Sequence, residues 1–327
     1  MTGSADASAL PAGPAMDAQP IRRAAVIGTG VIGASWATCF LAGGLDVVAC
    51  DPRPGAETSL RETIAAQWPA MQEIGLAPDA SPERLRFAAS PEEAAADAHF
   101  IQENAPEQLD TKRELFRRLD AAAPGTAILS SSSSTLTVSE FQDACARHPE
   151  RVVLGHPFNP PHLIPLVEVG GGKATSPQAV ERALHFYRAL GKRPIRLRKE
   201  VRGHVANRLQ AALWQEAFHL VATGVASVAD VDAAITEGPG LRWALLGPFL
   251  NLHLAGGPGG ISELFDKPLW QATEAIWRDL GEVSVDAELA GRVAAELDRR
   301  DMASVRRHRD AGLAMLLRMK AGMTAQP

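Results

Sequence analysis

The stretch HPFNPPHLIPLVEV, residues 156–169, sets His156 and Glu168 twelve positions apart around four prolines. Those two residue types can do proton chemistry. An alcohol does not ionise near neutral pH, and an imidazole with an ordinary pKa of about 6.5 is suited to take its proton. A carboxylate that accepts a hydrogen bond from the other ring nitrogen would set the tautomer and stabilise the imidazolium. Proline fixes φ and removes a backbone donor, so this stretch is not a central strand throughout. Its four prolines, at 157, 160, 161 and 165, stiffen the connection that holds the acid and the base. His162 is a rival base six residues on.

A second group of residues could hold a dinucleotide. Gly28-Thr29-Gly30-Val31-Ile32-Gly33 fits G-x-G-x-x-G, and Asp51 follows 23 residues after Gly28. The match has its context, because an apolar strand precedes it and a helix follows it. Gly28 permits the tight turn, Gly30 the approach of backbone to a pyrophosphate, and Gly33 close packing of helix on strand. Val31 and Ile32 open the helix, whose first amides favour a phosphate. Asp51 would accept from the adenosine ribose and repel a 2′-phosphate, which favours NAD over NADP. Arg53 weakens that preference.

The elements that position these residues can be read from pattern. AAVIG (24–28) and LDVVACD (45–51) are predicted strands, and 31–44 is a predicted helix closing on a glycine pair. Further strands are predicted near 85–88 and at 99–103, 126–130 and 152–155, with helices at about 56–75, 91–97, 109–122 and 137–146 between them. This alternation implies a mostly parallel sheet covered on both faces, an α/β Rossmann-type domain. His156, directly after VVLG, then falls at the carboxyl edge of that sheet, where ligands bind. VERALHFYRALG (180–191) reads as a helix and PIRLRKE (194–200) as the last strand. Beyond Val201 the apolar residues recur at helical spacing with no β-rich run. The expected domains are 21–200 for the cofactor and 201–327, all helical, for substrate and dimer contacts.

With 327 residues the chain is long enough for two domains. It is 46% hydrophobic and 22% charged, values of a globular protein, and with a net charge of 33 − 38 = −5 nothing suggests the basic stripe of a nucleic-acid surface. Three scattered cysteines, Cys39, Cys50 and Cys145, have no metal spacing and read as reduced thiols in a cytoplasm. No apolar run reaches the roughly 18–20 residues that span a bilayer. Residues 1–20, rich in Ala, Pro, Gly and Asp, read as a disordered leader without the basic start and apolar core of a signal peptide, and Met16 is an alternative start.

VIGTGVIG, QENAPEQLDTKRELF (102–116), SSSSSTL (130–136), HPFNPPHLIPLVEV, VANRLQ (205–210) and GPGLRWALLGPF (238–249) together carry a resemblance. Over about residues 22–320 the chain resembles the L-3-hydroxyacyl-CoA dehydrogenase superfamily, and most of all the branch holding L-carnitine dehydrogenase and L-gulonate 3-dehydrogenase. The resemblance implies NAD-dependent oxidation of the 3-hydroxyl of a 3-hydroxy acid or 3-hydroxyacyl-CoA, and a homodimer formed through the helical domain. It implies that His156 and Glu168 are the acid–base pair, that Ser134 binds the substrate hydroxyl and that Asn207 completes the site. It also implies that Glu107, Lys112 and Asn159 line the nicotinamide end. No metal is implied.

Each residue has a plain structural alternative. His156 could be a turn residue, Glu168 an edge-strand surface carboxylate, the serine run a low-complexity loop, Asn207 a helix cap and Lys112 a solvated helix residue. Asn207 stands where the carnitine branch should hold an aspartate, and a tryptophan-rich segment expected after the GG element is missing. Both departures argue against carnitine, leaving a free 3-hydroxy acid favoured over a CoA thioester, with Arg242 as a partner for its carboxylate. The competing class of function is a non-catalytic, crystallin-like or cofactor-sensing protein on the same scaffold. The 6-phosphogluconate and 3-hydroxyisobutyrate group shares the two-domain plan but not the HPFNP and LVEV motifs.

Overall fold

The computed structural model describes residues 20–298 and 300–324. All but Pro20 of the expected leader, Met16 included, lies outside the described residues. The chain packs as two compact units. Among the described residues, the first comprises 20–68, 76–133 and 137–199, and the second 69–75, 134–136, 200–298 and 300–324.

The first unit is built on one eight-stranded sheet. Its strands are β1 (Arg23–Ile27), β2 (Asp46–Cys50), β3 (Leu85–Phe87), β4 (Phe100–Glu103), β5 (Ile128–Ser131), β6 (Val152–Pro157), β7 (Leu166–Gly171) and β8 (Arg193–Arg196), in spatial order 3-2-1-4-5-6-7-8. The helices of this unit are α1 (Val31–Ala42), α2 (Ala56–Ile74, whose last turns join the second unit), α3 (Pro91–Ala95), α4 (Leu109–Ala122), α5 (Val138–Phe141) and α6 (Pro177–Ala189). Every residue of β4, β5 and β6 is buried, as expected of strands covered on both faces. α1 is buried nearly all round, from Gly33 to Ala42, and its Trp36 and Phe40 stack against Phe100, Phe186 and Tyr187. These aromatic rings knit α1 and α6 to the sheet and form the centre of its core.

Strand order reverses between β1 and β4, which puts a crevice at the carboxyl ends of those strands. Two details differ from the pattern read in the sequence, while the sheet is mostly parallel, as expected, with β7 antiparallel to β6. The connection between them, residues 158–165, is too short for the crossover a parallel partner needs. His156 therefore lies inside β6, not after it, since pairing with β7 carries the strand on to Pro157. The helix expected at 137–146 is also shorter. A Thr137/Glu140 capping box starts α5, and after Phe141 the chain tightens into a 3-10 turn at Gln142–Ala144. There the Gln142 side chain donates to Pro149 O at 2.7 Å and Thr175 Oγ1 at 2.9 Å.

The second unit is helical. It contains α7 (Ala206–Ala222), α8 (Val228–Thr236), α9 (Pro239–Trp243), α10 (Pro248–Ala255), α11 (Gly260–Phe265), α12 (Pro268–Asp279), α13 (Ala287–Leu297) and α14 (Met302–Thr324). Ser227 and Asp286 cap α8 and α13 through side-chain oxygens that accept from Asp230 N and Leu289 N. An ion pair of 2.9 Å joins Arg318 on α14 to Glu73 at the end of α2. Few of its apolar side chains are buried, Leu264, Leu289 and Ala314 among them. Leu209 and Trp214 on α7, Trp243 on α9, Phe249 and Leu254 on α10 and Ile276 and Trp277 on α12 are exposed. No described helix is long and apolar enough to cross a membrane, and Cys39, Cys50 and Cys145 are free and buried.

Candidate active site

The acid and base of the opening motif meet. His156 and Glu168 are direct partners in the β6–β7 ladder, and residues so placed project to the same face of a sheet. His156 Nδ1 lies 2.9 Å from Glu168 Oε2, with the residues 4% and 0% exposed. An ionised carboxylate only accepts, so Nδ1 is the donor and Nε2 is the nitrogen that can take up a proton. Glu168 is thus no surface carboxylate and His156 no turn residue. His162 is buried as well, but its Nδ1 lies 3.3 Å from Ser35 Oγ, in a different set of contacts.

The proline-rich connection is held from beneath. The Lys192 ammonium donates to the carbonyl of Pro161, lies 3.5 Å from that of Ile164 and sits over the Trp36 ring. Its partners are backbone carbonyls, and Asn159, expected near the nicotinamide, is carried exposed on the segment so anchored.

The serine run is not a low-complexity loop. Ser130 Oγ lies 2.9 Å from Tyr187 OH, and Ser131 Oγ donates to Glu103 Oε2 at 2.6 Å. Ser132 Oγ donates to Asn104 Oδ1 at 2.8 Å, and Ser133 Oγ to Glu107 Oε1 at 2.6 Å. Tyr187 donates to Gln102 Oε1 at 2.6 Å, while Gln102 Nε2 donates to Ser132 Oγ at 2.8 Å and to Gly155 O at 3.2 Å. This network fixes the carbonyl just before His156. Burial pushes the Tyr187 phenol well above its ordinary range, against its hydrogen bonds with Ser130 and Gln102, so it stays neutral. A side chain at Gly155 would collide with Tyr187 OH and Ser130 Oγ, which is why that strand position holds glycine. Ser134, the next residue, is half-buried and packs with the second unit.

Lys112 is no solvated lysine. It is 1% exposed and donates to both oxygens of Glu103, 0% exposed, at 2.8 and 3.0 Å. Glu103 also accepts from Ala105 N at 2.7 Å. Glu107, partly exposed, lies 3.6 Å from Lys112 Nζ. Any part Lys112 takes in a cofactor site is therefore indirect, through Glu107 or through the loop it anchors. Sequence reading missed Glu103, Gln102, Tyr187 and Lys192. A glutamate ending an apolar strand, nine residues before a lysine, was the available signal for the first.

The residues of the glycine turn fit a dinucleotide. Gly28 has φ +85°, and a Cβ there would lie 2.7 Å from Asn104 O across the β1–β4 crevice. A Cβ at Gly33 would strike Gly28 O, so the third glycine lets helix and turn touch. A Cβ at Gly30 would meet nothing within 4 Å, so the space above it is open to a ligand. No side chain caps α1, whose first turn begins with exposed Val31 and half-buried Ile32. Asp51, at the end of β2, accepts from Thr29 N at 2.7 Å and from Arg53 N at 3.0 Å. Burial alone would raise its pKa, but hydrogen bonds from the Arg53 side chain, Thr29 and the Arg53 amide outweigh it and bring it down to about 2.

Asn207 lies in the first turn of α7, past the N-cap residue Val205, so it does not cap that helix. It is half-buried, and Arg242 is exposed on α9. Among the described residues no cluster of His, Cys, Asp and Glu could hold a metal ion.

Residues 23–201 match the NAD-binding domain of 3-hydroxyacyl-CoA dehydrogenase, and residues 203–294 match the C-terminal domain of the same family. L-carnitine dehydrogenase of Streptomyces griseus is 50% identical over 314 residues, covering 94% of this chain and 92% of that protein. L-carnitine dehydrogenase of Pseudomonas aeruginosa is 48% identical over 302 residues, covering 91% of this chain and 93% of its own length. A solved structure of 5-formyl-3-hydroxy-2-methylpyridine 4-carboxylic acid 5-dehydrogenase, described as an NAD+ dependent dismutase, superposes with a TM-score of 0.81 at 28% identity. It covers 93% of this chain and 99% of that one. The chain belongs to the 3-hydroxyacyl-CoA dehydrogenase family and is an NAD-dependent oxidoreductase acting on a CH–OH group.

Proposed function

We propose that this protein oxidises the 3-hydroxyl of a free 3-hydroxy acid, with His156 as general base and Glu168 as its orienter. The observation that carries the reading is the 2.9 Å bond from a buried imidazole to a buried carboxylate at the sheet edge. NAD, when held at the glycine turn, would supply the acceptor for the hydride leaving C3. The hydroxyl proton passes to Nε2 of His156, the C–O bond becomes a carbonyl, and Glu168 stabilises the imidazolium through Nδ1–H. Ser134 and Asn207 hold the substrate oxygen. Glu107 and Asn159 line the nicotinamide end with Lys112 behind Glu107. Gly28, Gly30, Val31, Ile32 and Gly33 would cradle the pyrophosphate of NAD, and Asp51 would take its ribose.

L-carnitine is first among the substrates to test, because relatives at 46–50% identity carry its name. The expectation drawn from Asn207 against carnitine is set aside on that ground. The named substrate of the dismutase is also a free carboxylic acid, which favours acids over CoA thioesters. NADH formation on L-carnitine, other free 3-hydroxy acids and 3-hydroxybutyryl-CoA tests this reading. A free acid is expected to show the highest kcat/KM, and a clear preference for the thioester would reject it.

We infer also that the helical unit forms a homodimer. Its exposed Leu209, Trp214, Phe249, Leu254, Ile276 and Trp277 present more apolar surface than a lone domain leaves to water. Sedimentation should give about twice the chain mass of 34.7 kDa, and Ile276→Glu should lower the dimer fraction. A monomer at micromolar concentration would reject the dimer.

A further inference from the structure

Asp51 is not an open carboxylate. The Arg53 guanidinium lies across it, Nε 2.9 Å from Oδ1 and Nη2 3.0 Å from Oδ2, so that both oxygens are engaged. The Asp51 side chain is only 6% exposed, whereas that of Arg53 is 61% exposed. Thr29 N, Thr29 Oγ1 and the Arg53 amide take further acceptor positions on the same carboxylate. A carboxylate offers about four lone-pair sites, so a ribose diol can bond to Asp51 only by displacing the guanidinium. The pair is exposed on the arginine side, and such pairs are weak enough for a ligand to part. Glu57 and Arg61, a few residues on in α2, are paired with each other at 2.8 Å and add no net charge.

The discrimination expected of an acidic residue at a strand end rests on its unbalanced negative charge. Here that charge is balanced in place. A phosphate on the ribose 2′-oxygen would meet a neutral ion pair, not a carboxylate, with a planar fork of donors on its solvent side that suits phosphate. We propose that Arg53 sets the nucleotide selectivity of this protein, neutralising Asp51 so that the adenosine end accepts a 2′-phosphorylated dinucleotide as well as NAD. This rests on the assignment of Asp51 to the ribose and extends it. When NAD binds, Arg53 gives up Asp51 to the diol. When a 2′-phosphate enters, Arg53 stays paired with Asp51 and meets the phosphate with the N–H groups on its solvent side.

The test uses the full-length protein and the nucleotide fragments ADP and 2′,5′-ADP, measured by calorimetric titration, so that it needs no turnover. Wild type should bind both. Arg53→Ala should weaken 2′,5′-ADP by about ten-fold or more, the loss expected of a charge-assisted phosphate contact, and change ADP by no more than a few-fold. Arg53→Lys keeps the charge and should recover part of the loss. The NADP-to-NAD ratio of kcat/KM should fall with Arg53→Ala in the same proportion. The proposal is overturned if wild type binds ADP but not 2′,5′-ADP, if Arg53→Ala lowers both ligands equally, or if the selectivity ratio moves by less than ten-fold. Failure to bind ADP at all would instead remove the ribose assignment of Asp51 together with the proposal built on it.

Discussion

His156→Gln is expected to lower kcat by about 100-fold or more, the usual worth of a positioned general base, while NAD still binds. Glutamine is near the imidazole in size and its amide can donate to Glu168, so the buried carboxylate keeps a partner. It cannot take a proton. The loss should therefore fall on kcat, with little change in the affinity for NAD measured by fluorescence titration and little change in Tm. The pH dependence of kcat/KM should also lose its acidic limb, since the group that must be unprotonated is gone. Retained turnover with an unaltered pH profile would end the assignment of His156 as base.

Lys112→Met should be the most damaging single change to stability, costing about 3–5 kcal/mol, because it strands Glu103 as a buried charge. Lys112 and Glu103 are 1% and 0% exposed, and the ammonium reaches both carboxylate oxygens. Their mutual attraction offsets the desolvation of each, and neither survives burial alone. The double variant Lys112→Met with Glu103→Gln removes both charges and should recover much of the loss. Urea denaturation of the two single variants and the double variant closes the cycle. A Lys112→Met protein within about 1 kcal/mol of wild type would mean that the pair is open to water.

Much of the fold was legible because alternation of apolar strands and helices is a local signal. AAVIG, the glycine turn and Asp51 could be read together because their spacing is set by one strand–turn–helix–strand unit. The direction of β7 was not legible. It depends on the length of residues 158–165, and proline content hides where the strands on either side resume. The candidate site divides in the same way. His156 and Glu168 stood out by residue type at a strand edge, and the geometry brings them together. The partners that hold the site from below did not. Lys192 reaches Pro161 from the far end of α6, and Tyr187 reaches Gln102 from 85 positions away. Such contacts exist only once the sheet is assembled. The inward setting of Lys112 was not legible, since a lysine on a helix is ordinarily exposed and this one is held inward by a glutamate on a neighbouring strand.

The antiparallel pairing of β6 and β7 frees the chain from a constraint that the fixed interval in its primary structure suggests. Because His156 faces Glu168 across a backbone ladder, hydrogen-bonded rungs set their separation, and the interval of residues between them does not. The hairpin tip could be lengthened or trimmed without parting the proton acceptor from its steadying anion. Twelve positions is a measure of that tip, and evolution is at liberty to vary it while leaving the acid–base geometry untouched.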